Sequence, residues 1–536
     1  MPLRLSNIRL KVGEPEDVLR DRLAAALGVR SGDIARWRIL RKSLDTRDKR
    51  DVSFVYSAEV EMPLGEEQFV IRARRGGGST AVEPFVEEPF EVPPRGERGL
   101  THRPIVVGAG PAGLVAAWFL ASQGYAPLVL ERGRAVKDRI RDVKALDAGG
   151  AHDPESNYLF GEGGAGTFSD GKLTCRSTGA DVRRVLELLA ECKGKPSVVF
   201  EHRPHLGSNR LPAVVKALRR RIEAAGGEFR FECRVEDLDL DGTSVRGLAT
   251  SSGHIAAEVV ILAIGHSARD TYEMLARRQV PMEQKAFQLG VRIEQPQAEI
   301  NRAQYGDNHL EAILGAADYS VVARGPRDLF SFCMCAGGQV IPSVSEAGHF
   351  ATNGMSLSRR DSPFANSGLM VTIQTSEFPS RDILAGVALQ REFERRAFEI
   401  GLGDYRCPIQ RAADFLAGRA SRGAIASSYV RKTIAARLEE VVPVEVARSL
   451  RASLPMLDRR WHGRFLREAT LVGPESRGSS PVRISRDPST FESVGVAGLY
   501  PVGEGAGFAG GIVSAAVDGL RAAKSVVSRF APFHVR

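Results

Sequence analysis

The sequence predicts an α/β fold in which a dinucleotide-binding domain is interrupted by an inserted α+β substrate domain and preceded by a small N-terminal α/β sandwich. Three observations carry this. From Arg103 to Gly133 the chain reads RPIVVGAGPAGLVAAWFLASQGYAPLVLERG, a strand, a glycine turn, a helix and a second strand. From Gly498 the stretch GLYPVGEGAGFAGGIVSAAVDGLRAAKSVV is again strand, glycine turn and helix. Between them, apolar runs of strand and helix period fill a region long enough for a further domain. The boundaries expected are 1–73 for the small domain, 74–102 for a linker, 103–287 for the first part of the nucleotide domain, 288–473 for the insertion and 474–536 for the C-terminal part of the nucleotide domain.

In the small domain, Ile8, Leu10 and Val12 alternate with Arg9 and Lys11 as a half-buried strand, and Leu19, Leu23, Ala26 and Leu27 recur at helical spacing behind Pro15. Phe54, Tyr56, Ala58, Val60 and Met62 alternate in a further clear strand, so the order expected is β-α-β-β. Between helix and strand lies a basic stretch with Arg36, Arg38, Arg41, Lys42, Arg47, Lys49 and Arg50. It reads first as a solvated face and second as a surface for RNA or an acidic partner. The Gly-, Pro- and Glu-rich stretch from Arg74 to Arg103 has no sustained periodicity and is expected to be a linker.

Ile105, Val106 and Val107 have no polar alternation, as a parallel strand buried on both faces requires. Gly108, Gly110 and Gly113 follow. The first permits the tight turn, the second lets backbone approach a pyrophosphate, and the third lets the helix pack on the strand. The N–H groups opening that helix, which begins at Pro111 and Ala112, are placed to hold phosphates. Pro127 to Leu130 form the second strand. Glu131 ends it about twenty residues beyond the turn, where a carboxylate can accept hydrogen bonds from both ribose hydroxyls. The residues alone leave NAD and FAD equally open.

Next comes NYLFGEGGAGTFSDGKLTCR, in which Gly161, Gly163, Gly164 and Gly166 leave backbone bare enough to lie against a flat ligand or a phosphate. Lys172 is the nearest fixed cation and reads equally as a ligand contact or a salt bridge. A helix is expected from Pro212 to Ala225, a strand from Glu228 to Val235, then a β-meander and the strand Val259 to Ile264. That strand ends at Gly265, a second place where backbone meets a nucleotide. Leu289, Val291 and Ile293 alternate with Arg292 and Glu294 and open the insertion. In FSFCMCAGGQVIPS, alternation places Phe330, Phe332 and Met334 on one face of a strand and Cys333 and Cys335 on the other. Two residues apart on an extended strand, Cα atoms lie ~6.6 Å apart, near the upper limit for a disulfide. Buried structural thiols are therefore preferred over a redox pair unless the strand bends.

Composition bounds the remainder. The chain has 536 residues and 43% hydrophobic content, enough for two to four domains with large cores. No apolar run is long enough for a membrane span and Met1 to Leu10 has no signal-peptide core, so a cytoplasmic location without membrane association is expected. Six scattered cysteines without a CxxC pair argue against a disulfide framework and a metal site. The net charge of +9 resides largely on mixed-sign helical stretches such as REFERRAFEI. Nucleic acid is accordingly the less favoured partner and a small molecule the more favoured one.

The C-terminal turn carries an acid, Glu504, where the first has Pro111, and two such units some four hundred residues apart suggest one ligand held from both ends of the chain. This pattern resembles the two-dinucleotide-binding-domain flavoproteins of the glutathione-reductase-like type. More narrowly, ILRKSLDTRDKRDVSFVYS, VVGAGPAGL, FGEGGAGTFSDGKL, AIGHSARD, CMCAGGQVI, TNGMS, SSPVRI and YPVGEGAGFAGGIVSAAVDG resemble the largely uncharacterised bacterial FAD-dependent dehydrogenase family, over nearly the whole chain. Ala336 stands where that family has proline, and PESRGSSP departs from its usual lead into SSPVRI.

The resemblance implies a Rossmann-like FAD-binding domain. FAD would place its pyrophosphate at Gly108 to Gly113, its ribose at Glu131 and Arg132, and its adenine near Val235. Gly503 and Glu504 would approach the ribityl phosphate, and Gly511, Ile512 and Val513 the pyrimidine edge of the flavin. Lys172, Cys333 and Cys335 are the candidate catalytic side chains. Only one GxGxxG has a following acid, so NAD(P)H is expected at most as a transient reductant. The function expected is FAD-dependent oxidation or reduction of a small molecule; the alternative is a flavin-dependent RNA-binding or tRNA-modifying protein that uses the N-terminal basic stretch.

Overall fold

The computed structural model describes residues 2–62, 80–306 and 310–532. The expected boundary at 73 lies outside the described residues. Leu3–Lys11, Arg36–Asp45, Ser53–Glu61 and Ala81–Pro84 form a four-stranded antiparallel sheet in the order second, third, first, fourth, with the helix Leu19–Leu27 packed against it. The basic stretch forms the second strand as far as Asp45, and Arg47, Lys49 and Arg50 follow it. Its charges are largely matched: Arg38 with Glu59 and Glu87, Lys42 with Glu16, Arg47 with Asp45. The stretch 74–102, expected to lack regular structure, supplies the fourth strand from Ala81–Pro84. It also supplies Arg98–Gly99, which pairs with Phe530–Ala531 at the other end of the chain. A four-residue and a two-residue strand are too short to leave a periodic signature.

The second sheet has five parallel strands in the order Leu499–Pro501, Val260–Leu262, Ile105–Val107, Leu128–Leu130, Glu228–Arg230. The central three are buried on both faces, which accounts for their unbroken apolar sequences. The helices Pro111–Ser122, Leu211–Ala224 and Ile512–Arg529 pack together beside this sheet. The strand expected over 228–235 is two strands. Glu232 adopts φ 54°, the chain breaks there, and Val235–Asp241 starts a separate antiparallel meander with Ser244–Thr250 and Gly253–Ala256.

The third sheet runs Val322–Arg324, Asp328–Cys335, Phe364–Ile373, Phe287–Pro296, Thr470–Glu475, Cys407–Arg411, Thr433–Ala435, antiparallel except for the last pair. Helices Ala385–Ile400 and Val444–Arg460 cover it. The strand Phe287–Pro296 is not half-exposed as its alternation suggests, because Arg292 and Glu294 are also buried. Arg292 is paired with Glu475, and Glu294 accepts hydrogen bonds from Ser427 and Ser428, so the polar face is satisfied inside the protein.

Alternation also fails in Asp328–Cys335. Phe332 pairs with Gly368 and Cys335 with Asn366, so two residues oppose one in a bulge, and Cys333 takes φ 43°. The two faces assigned to Phe332, Cys333, Met334 and Cys335 are therefore not those of a regular strand.

Candidate functional site

The strand Ile105–Val107 delivers the chain to Gly108 at φ 99°, where an added Cβ would lie 2.4 Å from the Ala263 carbonyl oxygen. Gly110 caps the following helix and has only the Gly164 Cα within 4 Å of its Cβ position. A Cβ on Gly113 would lie 1.9 Å from the Gly108 carbonyl oxygen, so the helix seats on the turn only with glycine there. The glycine loop folds back onto this turn through the Gly163 N–H, which donates to the Ala109 carbonyl at 2.7 Å. Gly163 itself packs against Val215 and Thr167, whereas Gly164 and Gly166 face the space in front of the turn.

That space is a cavity of about 460 Å³, in the range of small-molecule sites. It begins at Gly108, Gly110, Pro111 and Ala112, passes Glu131, Arg132, Val235 and Gly265, and reaches Gly503, Glu504, Gly511 and Ile512 at the C-terminal turn. Lys172, Phe332, Cys333, Ser343, Asn353 and Arg477 also line it. Two helix N-termini, at Pro111 and Ile512, border it, and their first N–H groups lack partners within the helix.

Several expected contacts lie elsewhere. Gly113 and Gly163 shape the turn from behind. Val513 is fully buried in the core of the parallel-sheet domain, so only its backbone belongs to the helix entry. Cys335 is also fully buried, behind Cys333. Arg132 lines the cavity, but its guanidinium is held by Glu155 and Asp270 and rests 4.2 Å over the Phe160 ring, so its charge is already compensated. Glu131 Oε1 accepts from the N–H groups of Gly133 and Gly161 at 3.0 and 2.9 Å, and Oε2 from Ala109 at 2.8 Å. With two lone pairs per oxygen, a single acceptor position remains on Oε2, enough for one ribose hydroxyl and not for both.

Asp170, 1% exposed, gathers Lys172 Nζ at 3.7 Å, Arg360 at 3.7 Å, His205 Nε2 at 3.4 Å and the Ser356 hydroxyl. Burial pushes its carboxyl up, but Lys172, His205 and Arg360 outweigh burial and hold it well below the usual carboxylate range. Burial lowers His205 despite the Asp170 carboxylate beside it. At the bulge, the hydrogen bond from Cys335 and the charges of Arg292 and Lys172 outweigh burial and draw the Cys333 thiol down, whereas burial lifts Cys335.

Arg477 is 6% exposed; it donates to Ser267 Oγ at 2.9 Å and to Glu394 at 2.9 Å, and its Nε has no partner among the described residues. Ser343 Oγ, Ser345 Oγ and His152 Nδ1 are likewise buried without a partner. The first two flank Val344, whose carbonyl bonds His152 Nε2 at 3.2 Å. Asp170, Ser343, Asn353 and Arg477 were not singled out by sequence reasoning. Asp170 stands inside the quoted motif FGEGGAGTFSDGKL and Arg477 inside PESRGSSP, but nothing local marks either as facing a cavity.

Comparison with known proteins bears on this arrangement. Residues 202–330 match the family described as FAD dependent oxidoreductase, residues 286–478 the FAD-dependent protein, C-terminal domain-like family, and residues 106–163 an NAD(P)-binding Rossmann-like domain. The chain belongs to the FAD-dependent oxidoreductase family. Residues 2–61 match a domain of unknown function. An uncharacterised protein of Clostridium beijerinckii is 39% identical over 535 residues, covering 99% of each chain. Among solved structures, glycine oxidase from Bacillus cereus aligns at 12% identity and a TM-score of 0.31, over 79% of this chain and 95% of its own. L-Proline dehydrogenase from P. horikoshii aligns at 12% identity and 0.30, over 81% and 93%. At those scores neither likeness carries an argument about this chain. The family models suggest FAD as the cofactor. The site fits it: two bare glycine turns face one cavity, Gly110 leaves the backbone open where a pyrophosphate would lie, and Glu131 keeps one free acceptor.

Proposed function

We propose that the protein is a dehydrogenase-like oxidoreductase that binds FAD in this cavity and exchanges hydride or electrons with a small anionic substrate. The observation that carries the substrate class is the pair of cationic side chains, Lys172 and Arg477, in the lining of the cavity. Fixed cations in the lining of a cavity favour a carboxylate or similar anion, which they meet through charge-assisted hydrogen bonds.

Gly108 to Gly113 and the helix entry at Pro111 would hold the pyrophosphate, Glu131 one ribose hydroxyl, and the entry at Ile512 the flavin end. When bound, FAD supplies acceptance of a hydride or an electron pair. The chain's own part is positional. Arg477 and Ser343 orient the anion, Lys172 adds positive charge to the cavity wall, and Asp170 with His205 fixes Lys172. NAD(P)H would reach the cavity only transiently. Carboxylates pair four of the seven cations of the basic stretch, Arg38, Lys42, Arg47 and Arg50, which favours this reading over one in which RNA is the partner.

The test is a panel of small carboxylates and their uncharged amides or esters, added anaerobically to purified protein whose released FAD has been quantified. Bleaching by an acid and not by its neutral analogue, with the Michaelis constant raised at least tenfold in Arg477→Met, supports the reading. Equal bleaching by neutral analogues would refute the anionic substrate.

A further inference from the structure

Resting on the FAD reading above, we propose that Cys333 and Cys335 form a dithiol–disulfide pair that exchanges two electrons with the flavin. A straight strand would keep these residues too far apart, as the ~6.6 Å Cα spacing shows. The strand is not straight here. The bulge opposite Asn366 and Gly368, with Cys333 at φ 43°, turns the Cys335 side chain back on its neighbour, so that its Sγ lies 3.3 Å from the Cys333 carbonyl oxygen.

The left-handed region is unfavourable for a residue with a side chain. This one is held by fully buried Arg292, which donates to the same carbonyl oxygen at 3.2 Å while bonded on its other nitrogens to Glu475. Strain maintained by a buried ion pair is more often found at working sites than in plain structural strand.

The two sulfurs are not equivalent. Cys333 lines the cavity, with Lys172 on the same wall, and Cys335 is sealed behind it. Cys333 is therefore the sulfur that meets the cofactor as a thiolate, and Cys335 the one that closes the bond. Written toward the disulfide, the S–H bond of Cys335 breaks and one S–S bond forms. The pair loses two electrons, which pass to oxidised flavin, and the proton leaving Cys335 is matched by the one taken up with them. The reverse direction regenerates the dithiol from reduced flavin, so the pair can store the electrons of one turnover.

The experiment uses the air-oxidised holoenzyme, with FAD content measured separately by release. Anaerobic dithionite titration is expected to consume twice the electrons that the flavin alone accepts, and Cys333→Ser and Cys335→Ser to consume only the flavin's share. A measurement on the parent protein guards against poorly folded variants. Alkylation under denaturing conditions before and after reduction, followed by mass analysis of the peptide carrying both cysteines, should show protection before reduction and labelling after it. Holoenzyme with full FAD that accepts only the flavin's electrons, with both thiols alkylated in the oxidised state, would overturn the pair. Protein that releases no FAD would instead overturn the function proposed above, while the alkylation result still reports on the cysteines.

Discussion

The Arg292–Glu475 pair gives the most quantitative test of how the inserted domain supports the cavity wall. Arg292 is fully buried and Glu475 is 1% exposed; the guanidinium donates to Glu475 at 2.9 and 3.2 Å, to Asn366 Oδ1 at 2.7 Å, to Asn353 Oδ1 at 3.2 Å and to the Cys333 carbonyl at 3.2 Å. Glu475→Ala removes the compensating charge and leaves the guanidinium stranded, which costs about 3–5 kcal/mol. A domain of this size loses ~2–4 °C of melting temperature per kcal/mol, so calorimetry should show the inserted domain's transition falling by roughly 6–20 °C. Replacing both members by apolar residues of similar volume, as in Arg292→Met with Glu475→Leu, removes the stranded charge and should recover most of the loss. A single variant melting within about 2 °C of the parent would show that no charge is stranded. So would a double variant as damaged as the single one.

Other consequences are open to direct measurement. Gly113→Ala places a Cβ 1.9 Å from the Gly108 carbonyl oxygen, so it should cost about 1–3 kcal/mol in melting and lower the flavin-to-protein absorbance ratio; an unchanged ratio counts against the turn as the pyrophosphate site. In the network joining Arg269, Arg391 and Arg477, burial raises Glu346 and Glu394, but the arginines outweigh it and bring both carboxyls down to about 2. Depressed carboxyls contribute stability that is complete above their ordinary value near 4.5 and lost as pH falls toward 2. The urea midpoint should therefore drop across that window, and Glu394→Gln should flatten the drop; a flat profile in the parent would contradict the pairing. Removing residues 1–79 should leave FAD bound, whereas removing 1–102 should lower flavin content, because Phe90 packs edge-on against Phe119 and the Gly96 N–H bonds the Val527 carbonyl at 2.9 Å. Equal retention by both truncations would show that 80–102 is dispensable. NADPH is expected to bind the oxidised protein weakly, and tight saturable binding with rapid flavin reduction would argue for a nicotinamide site that the single acid-tipped glycine turn does not provide.

Much of the parallel-sheet domain is legible in the sequence because its constraints are local. Gly108, Gly110 and Gly113 are dictated within six residues by a turn, an open backbone and a helix contact, and the β-branched strand before them is buried on both faces. The inserted domain is read less well, since its polar residues answer to partners far away in the chain. Arg292 looks like the solvent side of an amphipathic strand until Glu475, 183 residues later, is seen to neutralise it. The bulge at Cys333 depends on pairing with Gly368 and Asn366, which no window around the cysteines contains. Arg477 shows the same limit from the site's side: its hydrogen bonds go to Ser267 and Glu394, 210 and 83 residues away in the chain. Two-residue pairing such as Arg98–Gly99 with Phe530–Ala531 is invisible to any periodicity.

That last pairing bears on how the protein comes to be folded. Tyr125, on the first nucleotide-binding segment, donates to the Phe530 carbonyl 405 residues away, and Gly519 packs onto the first turn of the helix that follows Gly110. Joining segments so distant costs about 5 kcal/mol of chain entropy, and each halving of the open length recovers only about 0.6 kcal/mol. During synthesis, the first strand, turn and helix leave the ribosome long before the strand Leu499–Pro501 and the final helix exist to cover them. The inserted domain can complete its own sheet in the interval and draw the two ends together. An arrested chain ending before Leu499 should accordingly hold a folded insertion, while the segment around Gly108 stays open to protease until the last residues arrive.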